Sequence, residues 1–162
     1  MMETLYKGKF LNMVCEGRWE YCERVNNTGA AMIFACTEDG KVLLVDCDMR
    51  LPSLANRFRL PATPGLSDFL VGQARIEEVV RTVENCELHV LPSGSIPPDS
   101  TGLLEAKQLE TLFNALRDVY DYVIVDLPPV ITVPDAVILS KYLDGYLLTI
   151  RNRRTVHRAV KE

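Results

Sequence analysis

Three charged side chains follow one apolar run in this chain, and their spacing suits them to metal or phosphate chemistry. In Lys41-Val-Leu-Leu-Val-Asp-Cys-Asp-Met-Arg50, the run Val42 to Val45 stops at Asp46, with Asp48 and Arg50 at two-residue intervals beyond it. A second copy of the pattern lies in Tyr120-Asp-Tyr-Val-Ile-Val-Asp-Leu-Pro-Pro129, where Asp126 closes an apolar run and two prolines stop the chain. Carboxylates placed this way can hold a hard divalent cation or take up a proton, and an arginine beside them can pair with a phosphate or with a carboxylate. The plainer reading of the same residues is a solvated strand end or a helix cap.

The elements that must position these groups are strands. Runs that are apolar at every position read as strands buried on both faces, as in a parallel sheet. Open α/β sheets bind ligands at the carboxyl ends of such strands, which is where Asp46, Asp48, Arg50 and Asp126 fall. Around them strands and helices alternate. The pattern predicts a first strand over Lys9–Val14, a turn at Asn26–Gly29 and a short helix over Ala30–Thr37. It then predicts helical turns at Leu54–Phe58, within Gly65–Gly72 (capped by Ser67 or Asp68) and over Ile76–Thr82. Glu87–Leu91 reads as a strand closed by the breaker-rich loop Pro92–Pro98. Apolar residues at Leu104, Leu109, Leu112, Phe113 and Leu116 mark a helix within Leu103–Val119. Pro134–Tyr142 reads as a helix, Gly145–Ile150 as a last strand, and Arg151–Glu162 as the start of a basic helix. The fold class is therefore α/β, a mainly parallel sheet flanked by helices, in one domain spanning residues 1–162.

Composition narrows the function classes. A net charge of -4 argues against a nucleic-acid surface. No apolar run is long enough to span a membrane and the start lacks a signal-peptide pattern, so a cytoplasmic chain is expected. The five cysteines form no C-x-x-C pair, which fits reduced thiols better than disulfides or zinc. His89 and His157 have no partner in the sequence and read as structural. The basic end, Arg151 to Lys161, reads first as a solvated helix face and second as a contact for acidic lipid or a partner.

Val42-Leu-Leu-Val-Asp-Cys-Asp-Met-Arg-Leu-Pro52 resembles the modified second Walker motif of the bacterial tyrosine kinases, MinD/ParA-like P-loop ATPases that regulate capsular and exopolysaccharide biosynthesis. Leu91–Pro98, Tyr120–Pro129, Asp135-Ala-Val-Ile-Leu and Asp144-Gly-Tyr-Leu-Leu resemble later segments of the same family, in the same order. The resemblance covers about Lys41 to Arg151. It implies a P-loop NTPase fold, ATP and magnesium as cofactors, and transfer of phosphate to tyrosine. It makes Asp46 the acceptor of the tyrosine hydroxyl proton and gives magnesium to Asp48 and Asp126, directly or through water. As partners it implies a membrane polysaccharide co-polymerase or activator protein, which would bring the chain to the inner face of the membrane. It also allows a homo-oligomer.

The phosphate cradle departs from the pattern. Where G-x-x-x-x-G-K-[ST] belongs, the chain reads Cys15-Glu-Gly-Arg-Trp-Glu-Tyr-Cys-Glu-Arg24. Gly17 and Arg18 take the places of the cradle glycine and lysine, and Trp19 stands where a small hydroxyl residue binds magnesium. Arginine does not replace that lysine, because its planar fork has a different reach. Two accounts follow: a family member that has lost ATP turnover, or a reading-frame error confined to roughly Gly17–Cys36. Reading the gene in all three frames separates them, since absence of a GK[ST] run discards the second. The family's E-x-x-R-x-x-R helix and tyrosine-rich tail are also missing, which leads to the expectation of a domain cut short at its C-terminus. Two other functions compete with the kinase. One is a non-catalytic P-loop-like domain that serves as a binding or regulatory partner in polysaccharide export. The other is a response-regulator receiver, disfavoured because 80 residues separate Asp46 from Asp126.

Overall fold

The computed structural model describes residues 2–7, 11–16, 19–24, 41–83, 88–130 and 132–147. The chain divides into two compact units, residues 1–35 and 36–162.

In the first unit, strands β1 (Met2–Lys7), β2 (Leu11–Glu16) and β3 (Trp19–Arg24) form an antiparallel sheet in the order β1-β2-β3. β2 pairs with β3 from Leu11↔Arg24 to Glu16↔Trp19. The expected first strand is thus present two residues later than read, but it belongs to an antiparallel sheet of its own. Trp19–Arg24, part of the stretch that stands where the phosphate-loop motif belongs, is extended. Its aromatic residues explain this in part, since Trp19 and Tyr21 favour strands and no helical stripe of apolar residues is present. Gly17 and Arg18, the turn at 26–29 and the helix read over 30–37 lie outside the described residues.

The second unit carries the parallel sheet, with strands in the order β5 (Arg81–Thr82), β6 (Leu88–Leu91), β4 (Val42–Asp46), β7 (Tyr122–Asp126). β4 is parallel to both β6 and β7, and the short β5 is antiparallel to β6. The reading of a mainly parallel sheet holds. All five residues of β4 are buried, as a run without alternation requires of a central strand. At its start, the Lys41 N–H donates to Asp121 Oδ2 at 2.8 Å, while the Lys41 carbonyl accepts from the N–H groups of Asp121 and Tyr122, which sets the register with β7.

Helices α1 (Leu54–Phe58), α2 (Leu66–Leu70), α3 (Ile76–Val79), α4 (Ser100–Leu104), α5 (Lys107–Arg117) and α6 (Asp135–Leu139) connect the strands. The core joins Leu43, Val45, Cys47 and Met49 to Leu66, Leu91, Leu104, Leu139 and the α5 stripe Leu109, Leu112, Phe113, Leu116. Phe113 stacks on Tyr142 with ring centroids 5.5 Å apart.

Several boundaries differ from the sequence reading. The helix read over Leu103–Val119 is two helices, because Ala106 is extended and caps α5. The helix read over Ile76–Thr82 stops at Val79, since Arg81 and Thr82 pair with Val90 and His89. Pro134–Tyr142 is α6 followed by a 3-10 turn, Ser140–Tyr142. Within Gly65–Gly72 the cap is Gly65, whose N–H is taken by the Asp68 carboxylate at 2.8 Å. Gly145–Leu147 is not a strand, and 148–162, including the basic end, lie outside the described residues.

Candidate active site

Parallel pairing brings the two acidic strand tips together. Asp46 on β4 and Asp126 on β7 are register partners, and the Cys47 N–H donates to the Asp126 carbonyl at 2.9 Å. Asp46 and Asp126, expected at the carboxyl ends of their strands, thus meet at one end of the sheet.

Asp46 is fully buried. Its Oδ2 accepts from the N–H groups of Ser53 and Leu54, both at 3.0 Å, so the carboxylate caps the start of α1. Its other oxygen, Oδ1, is buried without a hydrogen-bond partner. Burial pushes this carboxyl above the usual carboxylate range, and the Asp126 charge adds to the shift. The backbone N–H groups of Leu54, Ser53 and Asp48 oppose it. An oxygen left unpaired at a buried position is costly unless something else uses it, such as a proton, a hydroxyl or a metal-bound water.

Asp126 is half-buried. Its carboxyl is also raised, first by burial and then by the Asp48 charge, while Arg57 on α1 pulls it down. Asp48 is also half-buried, and its Oδ1 accepts from the N–H groups of Arg50 (3.2 Å) and Leu51 (3.0 Å), which folds the loop after β4 into a tight turn. The mutual charge effects place Asp46, Asp48 and Asp126 in one field on one rim. Among the described residues, no three His, Cys, Asp or Glu side chains form a metal cage. Magnesium fits such a rim better than zinc or calcium, because it takes one or two carboxylates and leaves its other positions to phosphate and water.

Arg50 does not turn to the rim. Its Nη2 donates to the Thr101 hydroxyl at 2.8 Å, and its Nε lies 3.6 Å from Oδ2 of Asp135, an ion pair outside hydrogen-bond range. Thr101 in turn donates to Asp135 Oδ1 at 3.2 Å. The sequence reading had Arg50 pairing with a phosphate or with one of the rim carboxylates; the carboxylate it meets is a different one. Asp135 and Thr101 went unnoticed as polar partners because nothing in their local sequence signals burial. A hint lay in Pro134-Asp135, an acid at a helix start that the core then encloses.

His89 accepts its structural reading: its Nδ1 is 2.7 Å from the Tyr120 hydroxyl, with the rings edge to face. Cys47 is a free, fully buried thiol, and burial raises its pKa far beyond reach of ordinary chemistry.

A second feature of the rim is the loop after β6. The N–H groups of Leu66 and Ser67 donate to the carbonyls of Pro92 and Ser93, and Asp68 accepts from the Ser95 N–H at 3.2 Å. Gly94 makes this possible, with φ at +84° and no room for a Cβ, which would fall 2.5 Å from Asp68 Oδ2.

Comparison with known proteins agrees with the fold. The family model described as an AAA domain matches residues 26–153. The chain is 35% identical over 149 residues to the tyrosine-protein kinase YwqD of Bacillus subtilis (strain 168), covering 92% of this chain and 61% of that kinase. It is 31% identical over 134 residues to the tyrosine-protein kinase CpsD of Streptococcus agalactiae serotype III (strain NEM316), covering 82% of this chain and 58% of that one. It therefore spans about three-fifths of the length of these two relatives. The crystal structure of the VpsO kinase domain superposes with a TM-score of 0.73 at 31% identity, covering 76% of this chain and 61% of the other. By its family match over residues 26–153 the chain belongs to the AAA domain family, and in sequence and fold it is similar to bacterial tyrosine kinases.

Proposed function

We propose that the rim of Asp46, Asp48 and Asp126 serves magnesium-dependent phosphoryl transfer from ATP to a tyrosine hydroxyl, in a kinase that regulates capsular or exopolysaccharide production. The observation that carries this reading is the pairing of Asp46 with Asp126 across adjacent parallel strands, one carboxylate buried with a free oxygen and the other half open. Asp46 accepts the hydroxyl proton at Oδ1. Its raised basicity favours that transfer, and the two N–H donors at Oδ2 keep the group oriented. Asp48 and Asp126 supply the oxygens for magnesium, which when bound neutralises phosphate charge. The kinase acts in the cytoplasm and meets the inner face of the membrane through a polysaccharide co-polymerase or activator protein. Among the described residues no helix is long and apolar enough to cross a membrane.

A second reading has its own support. Trp19–Arg24 is a strand paired to Leu11–Glu16, in the stretch where a phosphate loop would lead into a helix. On this reading the chain keeps the acidic rim and acts as a binding or regulatory partner in polysaccharide export without turning over nucleotide.

Isothermal titration with ATP and magnesium, followed by detection of phosphotyrosine, decides between them. Saturable binding with tyrosine phosphorylation that Asp46→Asn abolishes supports the kinase. Absence of binding leaves the non-catalytic partner.

A further inference from the structure

We propose that Asp135 is a positioning residue that holds the Arg50 guanidinium off the acidic rim, so that Asp48 and Asp126 stay free for a divalent cation. This rests on the reading of the rim given above.

Arg50 lies two residues beyond Asp48, and its backbone N–H donates to the Asp48 carboxylate at 3.2 Å, so its side chain starts beside the rim. Opposite charges attract strongly at short range in a half-buried setting. An arginine without another partner would therefore close on the rim and occupy the oxygens that a cation needs. The charged groups that act on one another at the rim are Asp46 and Asp48 on β4 and its loop, Asp126 on β7 and Arg57 on α1, and Asp135 on α6 faces the Arg50 side chain. Of the carboxylates, Asp135 is the one Arg50 pairs with, and Thr101 on α4 bridges the two.

The cost of this arrangement indicates its purpose. Asp135 is 1% exposed, and its Oδ2 has no hydrogen bond, only the ion pair at 3.6 Å. A buried carboxylate satisfied this poorly does little for stability, and an apolar residue would fill the position at lower cost. Arg50 is 42% exposed, so packing does not confine it; charge and the Thr101 bridge do.

Mn2+ binding to the full chain, followed by electron paramagnetic resonance, tests the idea. Asp135→Asn should bind Mn2+ roughly tenfold more weakly, because the released Arg50 competes with the cation. Arg50→Gln should bind at least as tightly as the parent. The double variant should return to the Arg50→Gln level, an outcome that a purely structural role for Asp135 does not produce. Unchanged binding by Asp135→Asn, or a double variant as weak as the single one, overturns the proposal. If Asp135→Asn does not fold by circular dichroism, Thr101→Val with and without Arg50→Gln carries the same comparison. The rim reading is checked separately by Asp48→Asn/Asp126→Asn. If the parent does not bind Mn2+, or binds it with the same affinity as that pair, the rim reading fails and the role of Asp135 fails with it. Loss of Mn2+ in that pair but not in Asp135→Asn overturns the role of Asp135 alone.

Discussion

Strands β4 and β7 read almost alike, Val-Leu-Leu-Val-Asp and Tyr-Val-Ile-Val-Asp, and end side by side, yet their surroundings differ. β4 has a strand on each side and is buried throughout. Among the described residues β7 pairs with β4 alone, and Tyr122 and Ile124 are 56% and 39% exposed. The tips differ in the same way. Asp46 is enclosed and held by two N–H donors from α1, whereas Asp126 stays half open and feels Arg57. Place in the sheet thus separates two similar sequences into a buried carboxylate and a half-open one, the difference on which the proposed division of roles rests.

The sharpest way to break this comparison is to neutralise each tip in turn. Asp46→Asn should lower magnesium-dependent tyrosine phosphorylation by about a thousandfold, the range for loss of a general base, and added magnesium should not restore it. Asp126→Asn should recover in part as magnesium is raised. Equal responses of the two variants to magnesium would remove the division of roles.

Packing offers the next test, because Leu44 and Ile124 are register partners with very different exposure. Leu44→Ala should cost about 3 kcal/mol in urea unfolding and Ile124→Ala under about 1 kcal/mol. Similar losses would mean that β7 is as enclosed as β4. The third strand tip, after β6, has no carboxylate and depends on Gly94. Gly94→Ala should destabilise by about 2 kcal/mol through its positive φ and the collision with Asp68.

A smaller effect concerns pH. Asp46 has a folded-state pKa above its unfolded value, so the native state binds the extra proton. Its contribution favours folding below the usual carboxylate range and is lost as pH rises through the raised value. Asp68 runs the other way. Burial raises its pKa, but the donors at Gly65 and Ser95 outweigh this and lower it, so its contribution is lost as pH falls. Asp46→Asn should therefore unfold at higher urea than the parent at neutral pH, by about 1 kcal/mol, with the gap closing in acid. A gap that is constant with pH would mean that Asp46 is not the strained carboxylate.

Much of this was legible beforehand because hydrophobic runs are local. Val42–Val45 and Tyr122–Val125 announce parallel strands, and a carboxylate at the end of each announces a shared rim; the burial read for both runs holds only for the first. The break at Ala106 and the short pairing of Arg81–Thr82 were not legible. A continuous apolar stripe does not show where a helix must turn to follow the core, and two residues are too few for a periodicity. The cap at Gly65 was likewise hidden, since it depends on the distant loop at Gly94.

The sequence by itself determined that Val42–Asp46 and Tyr122–Asp126 are strands of a parallel sheet and that Asp46 and Asp126 end them. Those properties follow from side-chain type and spacing along a few neighbouring residues. Only the tertiary structure decided that Asp46 keeps one oxygen unpaired, that Asp126 stays half open, and that Arg50 turns to Asp135. Each of these depends on charges and donors that lie far apart in the chain and meet only when the sheet and its helices pack.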